Sequence, residues 1–233
     1  MKKNPWLDGF LKYLKSCDYP VPLDFFSWHT YTSDPYNIRK GAEYARDLLD
    51  SYGYSQTEII LDEYNYLLNW TDRFTESVLD IIGIRGAAFT SACMVVGQDS
   101  PLEMLMYYDA RPCGFNGLFD FYTLRPLKGY YPFVCFSKLA ALENWTYSES
   151  SDSDIFVTAA SDGNAKAFVV TYYHSGDDAS EKRELRIRTG VPGKWRIAVT
   201  DKDKKNEITE KTTIDGVLEL TLEPNAFFVA ESV

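Results

Sequence analysis

Up to residue 147, short apolar runs alternate with amphipathic helical stretches; beyond residue 155 only strand-like runs remain. Alternating β and α elements are satisfied by a parallel sheet with right-handed crossovers. A series of short strands separated by turn residues is satisfied by antiparallel sheets. The expected fold class is therefore α/β plus all-β, with residues 1–147 forming about three βα units and residues 148–233 an antiparallel β-sandwich. The Ser/Asp/Glu-rich stretch Ser148–Asp154 between them is expected to be a linker.

In the first part, residues 5–17 are expected to be helical and 23–29 a strand. Ser33-Asp34-Pro35 is a helix start, with a capping side chain ahead of a proline at the first helical position. The helix that follows carries Ile38, Ala42, Ala45, Leu48 and Leu49 on one face and stops before Gly53. A strand at 58–63, a long helix over 73–96, a strand at 103–109, an irregular loop and a helix over 128–143 complete the series. In the second part, strands are expected at Ile155–Ala159, Ala165–Tyr173, Glu184–Arg188, Trp195–Thr200, Val217–Leu222 and Ala226–Ala230, with turns such as Asp162-Gly163-Asn164 and Pro192-Gly193 between them. The charge run Asp201–Lys211 is expected to be an exposed hairpin region.

Ile59-Ile60-Leu61-Asp62-Glu63-Tyr64-Asn65-Tyr66 is an apolar run ending in carboxylates, an aromatic and an amide. Burying an unpaired carboxylate is costly, so Glu63 at the end of such a strand is the first candidate for chemistry. Strict alternation puts Ile59, Leu61, Glu63 and Asn65 on one face, and Phe25, Ser27, His29 and Tyr31 on one face of the earlier strand. His29, Tyr31 and Glu63 then converge if both faces point into one site. Asp62 is expected on the opposite side, in a structural pairing. Asp109 ends the third strand, and Arg111 and Asn116 follow in its loop.

These residues carry a resemblance. Asp24–Ser33 (DFFSWHTYTS) resembles the sixth-strand signature of glycoside hydrolase family 39, the β-xylosidase and α-iduronidase group of clan A. Leu61-Asp62-Glu63-Tyr64-Asn65 resembles its seventh-strand nucleophile motif. Met106-Tyr107-Tyr108-Asp109, Phe115–Asp120 and Lys128–Phe133 resemble its eighth strand and closing helix. The resemblance covers roughly residues 5–145 and implies strands six to eight of a (β/α)8 TIM barrel, followed by the family's accessory β domain. It implies a retaining mechanism with two carboxylates roughly 5 Å apart, Glu63 as nucleophile and Tyr31 as the tyrosine that orients it. His29, Asn65, Tyr107, Tyr108, Asp109 and Asn116 are the expected substrate-binding residues. The family places a Trp on strand eight, where this chain has Tyr107 and Tyr108.

The family's acid/base residue belongs to an Asn-Glu pair after the fourth strand. Only 22 residues precede Leu23 and none is Glu, while Asn206-Glu207 is expected to be a solvated turn. The chain is therefore expected to be the C-terminal portion of a glycosidase, inactive alone. Three barrel strands expose sheet edges that a missing N-terminal barrel half, or a further copy of the chain, would cover. The alternatives are a non-enzymatic carbohydrate-binding or scaffold protein derived from a truncated barrel, and one half of a split barrel.

A net charge of −10 argues against a nucleic-acid partner. Aromatics at 15% suit a carbohydrate ligand, as they suit an aromatic-rich β core. No targeting or membrane segment is visible, and four cysteines without C-x-x-C spacing are expected to be reduced thiols of a cytoplasmic protein. The Asn-Trp-Thr sequons at Asn69 and Asn144 would matter only in a secretory pathway. Two distant histidines make no metal cage, His174 is expected at the surface beside Gly176 and Asp177, and no nucleotide fingerprint or cofactor motif is present.

Overall fold

A computed structural model describes residues 5–176 and 181–233. The first part runs α1 (Pro5–Lys15), β1 (Phe25–Thr32), α2 (Tyr36–Ser51), β2 (Glu58–Tyr66), α3 (Phe74–Ile81), α4 (Ile84–Gln98), β3 (Met104–Tyr107), a 3-10 turn (Lys128–Tyr130) and α5 (Tyr131–Ala140). The strands form a parallel sheet in the order β1-β2-β3. The second part holds β4 (Asn144–Thr146), β5 (Ile155–Ser161), β6 (Lys166–Tyr172), β7 (Arg183–Arg188), β8 (Gly193–Thr200), β9 (Glu207–Thr213), β10 (Val217–Leu222) and β11 (Phe227–Ser232). These make a six-stranded antiparallel sheet, β4-β5-β6-β11-β8-β9, and a separate β10-β7 pair.

Several expected elements differ. The long helix over 73–96 is two helices bent by 78°, because Gly83 adopts an extended conformation (φ −97°, ψ −171°) between them. Gly86 lets them meet closely: a Cβ there would lie 2.6 Å from Ile81 Cα. The helix expected over 128–143 is α helix only from Tyr131 to Ala140, since Asn144–Thr146 pairs with β5 as an edge strand. At α2, Asp34 accepts the Tyr36 N–H at 2.9 Å and Thr32 Oγ1 accepts that of Asp34. Asn206-Glu207 is more ordered than a solvated turn: Asn206 takes φ 54°, its N–H donates to Thr200 Oγ1 at 3.0 Å, and Glu207 opens β9.

The central antiparallel strands are buried on both faces. Phe227, Val229, Ala167 and Val169 pack with Phe89, Ala92, Cys93 and Phe136 of α4 and α5. Their alternates Phe228, Ala230, Phe168 and Val170 pack with Trp195, Ile197, Leu218 and Leu222. That is period-2 alternation with apolar residues at every position. One hydrophobic cluster thus spans the parallel sheet, the α4/α5 layer and the six-stranded sheet. Helix α4 lies in its middle and is apolar all round, as a helix enclosed on every side must be.

Polar staples cross the same boundary. Ser91 and Thr171 share a buried hydroxyl hydrogen bond of 2.6 Å, Tyr173 Oη donates to Ser33 O at 2.6 Å, and Tyr36 Oη to Ser153 O at 3.1 Å. Residues 148–154 hold no regular element, yet Arg183 pairs with Asp152 at 3.2 Å and His174 Nδ1 lies 2.8 Å from Asp154. His174 is therefore a half-buried tie rather than a free surface residue; Asp177 lies outside the described residues.

Burial sorts the cysteines. Cys93 and Cys135 are enclosed, and burial pushes the Cys135 thiol up to about 12; Cys17 and Cys113 are half-buried. Only the thiolate reacts. An Ellman titration of the folded protein at pH 8 should count two thiols quickly and all four only in denaturant. Four fast thiols in the native state would contradict this packing.

Candidate active site

The C-terminal ends of β1, β2 and β3 carry the site. The strands pair in steady register from Phe25↔Glu58 to Trp28↔Leu61, and then the register slips to His29↔Glu63. The slip is a β-bulge that sets Asp62 and Glu63 together against one residue of β1. Bulges re-aim side chains in this way. Asp62 therefore does not turn to the far side as strict alternation predicts. His29 Nδ1 lies 3.3 Å from Glu63 Oε1, and Nε2 lies 3.7 Å from Asp62 Oδ1.

Tyr31, two residues beyond His29, donates its hydroxyl to Glu63 Oε1 at 2.6 Å. Burial, and then the hydrogen bond to Glu63, raise the Tyr31 pKa far above the ordinary phenol value, so the hydroxyl keeps its proton and serves as a fixed donor. The structure thus brings together Glu63, Tyr31 and His29. The Glu63 side chain is 24% exposed and the imidazole 55%, so a ligand can reach both.

Aromatic rings wall the site. Tyr31 meets Trp70, Phe115 and Tyr108 edge-on, with centroids 5.1, 5.4 and 6.5 Å away. Trp70 stacks on Phe74 at 5.9 Å and remains 61% exposed. Sequence reasoning missed Trp70 and did not place Phe115 in the site. The available signal was the pair Trp70 and Phe74, four residues apart just after the Glu63 strand.

The remaining expected ligands turn inward. Asn65 is buried, and its Nδ2 donates to the carbonyls of Tyr108 and Phe115, the latter at 2.7 Å, while Oδ1 accepts the Tyr66 N–H at 2.6 Å. Tyr107 Oη accepts the Gly117 N–H at 3.0 Å and donates to Phe115 O at 3.3 Å; burial pushes its pKa up to about 12. Asn116 Oδ1 accepts the N–H groups of Leu118 and Phe119 at 2.7 and 3.1 Å, and its Nδ2 donates to Phe119 O. All three shape the loop after β3 rather than face a ligand. Only Tyr108 of the strand-end pair borders Glu63's neighbours.

Asp109 is buried and spent on Arg111. It accepts the Arg111 N–H at 2.7 Å on one oxygen, and Nε and Nη2 at 2.7 and 2.5 Å on the other. Those bonds hold its carboxyl below the usual range. A carboxyl depressed in the fold stabilises it above the unfolded-state value near 3.9, and that contribution is lost as pH falls through the lower folded value. The Arg111 side chain is largely exposed, so water screens the pair. Asp109→Asn should therefore lower Tm modestly at pH 7, and the gap from the parent should narrow as the pH is brought below about 4. A gap that is constant between pH 7 and pH 2 would rule out the charge pair as its cause.

No protein-family model and no curated protein matches the chain. Its fold is matched by solved glycoside hydrolases. A glucosidase from Croceicoccus marinus superposes with a TM-score of 0.74 at 20% identity, over 99% of this chain and 57% of the glucosidase. An arabinofuranosidase gives 0.70 at 17% identity, over 99% and 56%. A family 39 β-xylosidase from Caulobacter crescentus gives 0.66 at 16% identity, over 97% and 54%. The chain has a glycosidase-like fold and spans little more than half the length of these relatives. At such identities the likeness concerns fold alone.

Proposed function

We propose that this chain is the nucleophile-bearing part of a retaining, β-xylosidase-like glycoside hydrolase. It would supply strands six to eight of a (β/α)8 barrel and a β-sandwich accessory domain. The observation that carries the reading is Glu63 at the C-terminal end of a parallel strand, with Tyr31 donating to it at 2.6 Å and His29 beside it at 3.3 Å. In barrels of this kind the strand C-termini hold the chemistry. A carboxylate that attacks an anomeric carbon must be ionised and aimed, and a hydroxyl donor on one oxygen leaves the other free to attack. Trp70 and Tyr108 offer aromatic faces for a sugar ring.

Asp62 and Glu63 come from one strand end and cannot flank a glycosidic bond. The acid that protonates the leaving oxygen would come from polypeptide outside these residues. The bared face of the parallel sheet supports this: Phe25, Met104 and Met106 are exposed, whereas parallel sheets are ordinarily covered on both sides.

The reading is tested with a dinitrophenyl 2-deoxy-2-fluoro-β-xyloside, whose leaving group departs without a proton. The expected result is slow addition of one fluoroxylosyl group to the peptide containing Glu63, and none in Glu63→Gln. A folded protein that stays unlabelled would overturn it. A second reading, a carbohydrate-binding module with a relic site, draws on a cleft of about 800 Å³ bounded by β5, β7 and the loop Thr146–Asp152. Sugar binding there, unchanged by Glu63→Ala, would favour it.

A further inference from the structure

Asp62 has no place in the mechanism above, yet its surroundings are unusual. Its Oδ1 is fully enclosed and accepts no hydrogen bond. A buried carboxylate oxygen without a donor is costly. The polar group facing it is His29 Nε2 at 3.7 Å, just beyond hydrogen-bond range, and a small rotation of the half-exposed imidazole would close that gap. The other ring nitrogen, Nδ1, already faces Glu63 Oε1 at 3.3 Å.

The arrangement follows from the bulge. Without the extra residue, Asp62 would sit on the opposite side of the strand from Glu63; with it, both carboxylates address the same ring, one at each nitrogen. The proton position on an imidazole is set by the partner of its other nitrogen.

We propose that Asp62 is a positioning residue: it takes the Nε2–H of His29 and thereby aims Nδ1 at Glu63. The idea rests on Glu63 as the working carboxylate, but its geometry stands apart from any particular substrate. In its charged form the ring donates to both carboxylates and gives Glu63 a second donor beside Tyr31. In its neutral form Nε2 keeps the proton and that second donor is gone, so the state of the ring decides how Glu63 is held. The groups facing the ring and its partners are Asp62 and Glu63 on β2, Tyr31 on β1, and beyond Tyr31 the Tyr108 hydroxyl and the Asp109–Arg111 pair after β3.

The experiment is a two-bond proton–nitrogen correlation spectrum of the full 15N-labelled chain, titrated from pH 5 to 8. The chain has two histidines, and His29→Gln assigns them. Wild-type His29 is expected as the Nε2–H tautomer when neutral. In Asp62→Asn the neutral ring should lose its preference for the Nε2–H tautomer, and Asp62→Glu should restore most of it. His174, held by Asp154, should not move and reports that the fold is intact. Unchanged His29 signals in a folded Asp62→Asn would overturn the proposal. So would a neutral wild-type ring protonated on Nδ1, a result that needs no variant to fold. Failure of the fluoroxyloside to label Glu63 would remove the glycosidase reading and leave these spectra to be judged by themselves.

Discussion

On the function proposed above, this chain combined with a barrel half that carries the acid is expected to hydrolyse a 4-methoxyphenyl β-xyloside that it leaves intact by itself. The leaving group in that substrate is a poor one, and its oxygen must be protonated as the bond breaks. General acid help contributes roughly 10²- to 10⁴-fold, and Glu63 cannot supply it while acting as nucleophile. The relatives in structure are almost twice as long as the aligned chain, so there is room in their architecture for the other carboxyl. In the assembled protein, Glu63→Ala should cost roughly 10⁴-fold or more in kcat, the scale seen when a nucleophile is removed. Added azide should restore turnover of an activated substrate with inverted stereochemistry, because a small anion fills the vacated position. Hydrolysis that survives Glu63→Ala would sink the assignment. Well-folded partners that never associate would sink the idea of a supplied acid.

A comparably large effect on stability is expected at Asn65. Its amide ties the end of β2 to the Tyr108 carbonyl beyond β3 and to Phe115 in the following loop, and it accepts the neighbouring Tyr66 N–H. Leucine is close in size but takes the amide away from the Tyr108 carbonyl and the Tyr66 N–H, while the Phe115 carbonyl keeps the Tyr107 hydroxyl. Each buried group left unpaired costs about 1–3 kcal/mol, so Asn65→Leu should lose about 3 kcal/mol or more in urea denaturation. Phe115 should also loosen, and with it the ring packing around Tyr31. Near-ultraviolet circular dichroism would report that loss below the melting transition. A variant that unfolds at the parent's urea midpoint would show that the amide is not the latch described here.

Asn65 also shows what a sequence can and cannot disclose. The resemblance pointed to strand ends that the structure brings together, and alternation set His29 and Tyr31 on the face that meets Glu63. It could not show the bulge, because period-2 counting assumes an unbroken register and nothing in Leu-Asp-Glu marks the extra residue. Strand β4 escaped, and β9 was legible only as part of an exposed hairpin region, for another reason. Asn144–Thr146 is wholly exposed and Glu207–Thr213 nearly so; backbone pairing holds them, leaving no apolar pattern to detect. Asn65, Tyr107 and Asn116 bear residue types that suit sugar binding, and only their burial reveals that the backbone has claimed them. The break in the helix falls at Gly83 within a stretch whose apolar residues continue on both sides, so the helical pattern reads through it.

The layer of α4 and α5 between two sheets has a consequence for anyone who would dissect the protein. A cut in the loop near residue 150 would strip one wall from Phe89, Cys93 and Phe136 and the opposite wall from Phe156, Val169 and Phe227. Each piece would keep only the part of its interior that does not face the other. The β portion is thus not a cargo that can be swapped between proteins; it is the back plate against which the parallel strands are held through α4 and α5. Sequence changes on β6, more than 100 positions along the chain from Glu63, bear on a helix, α4, that also packs against the strand carrying that residue.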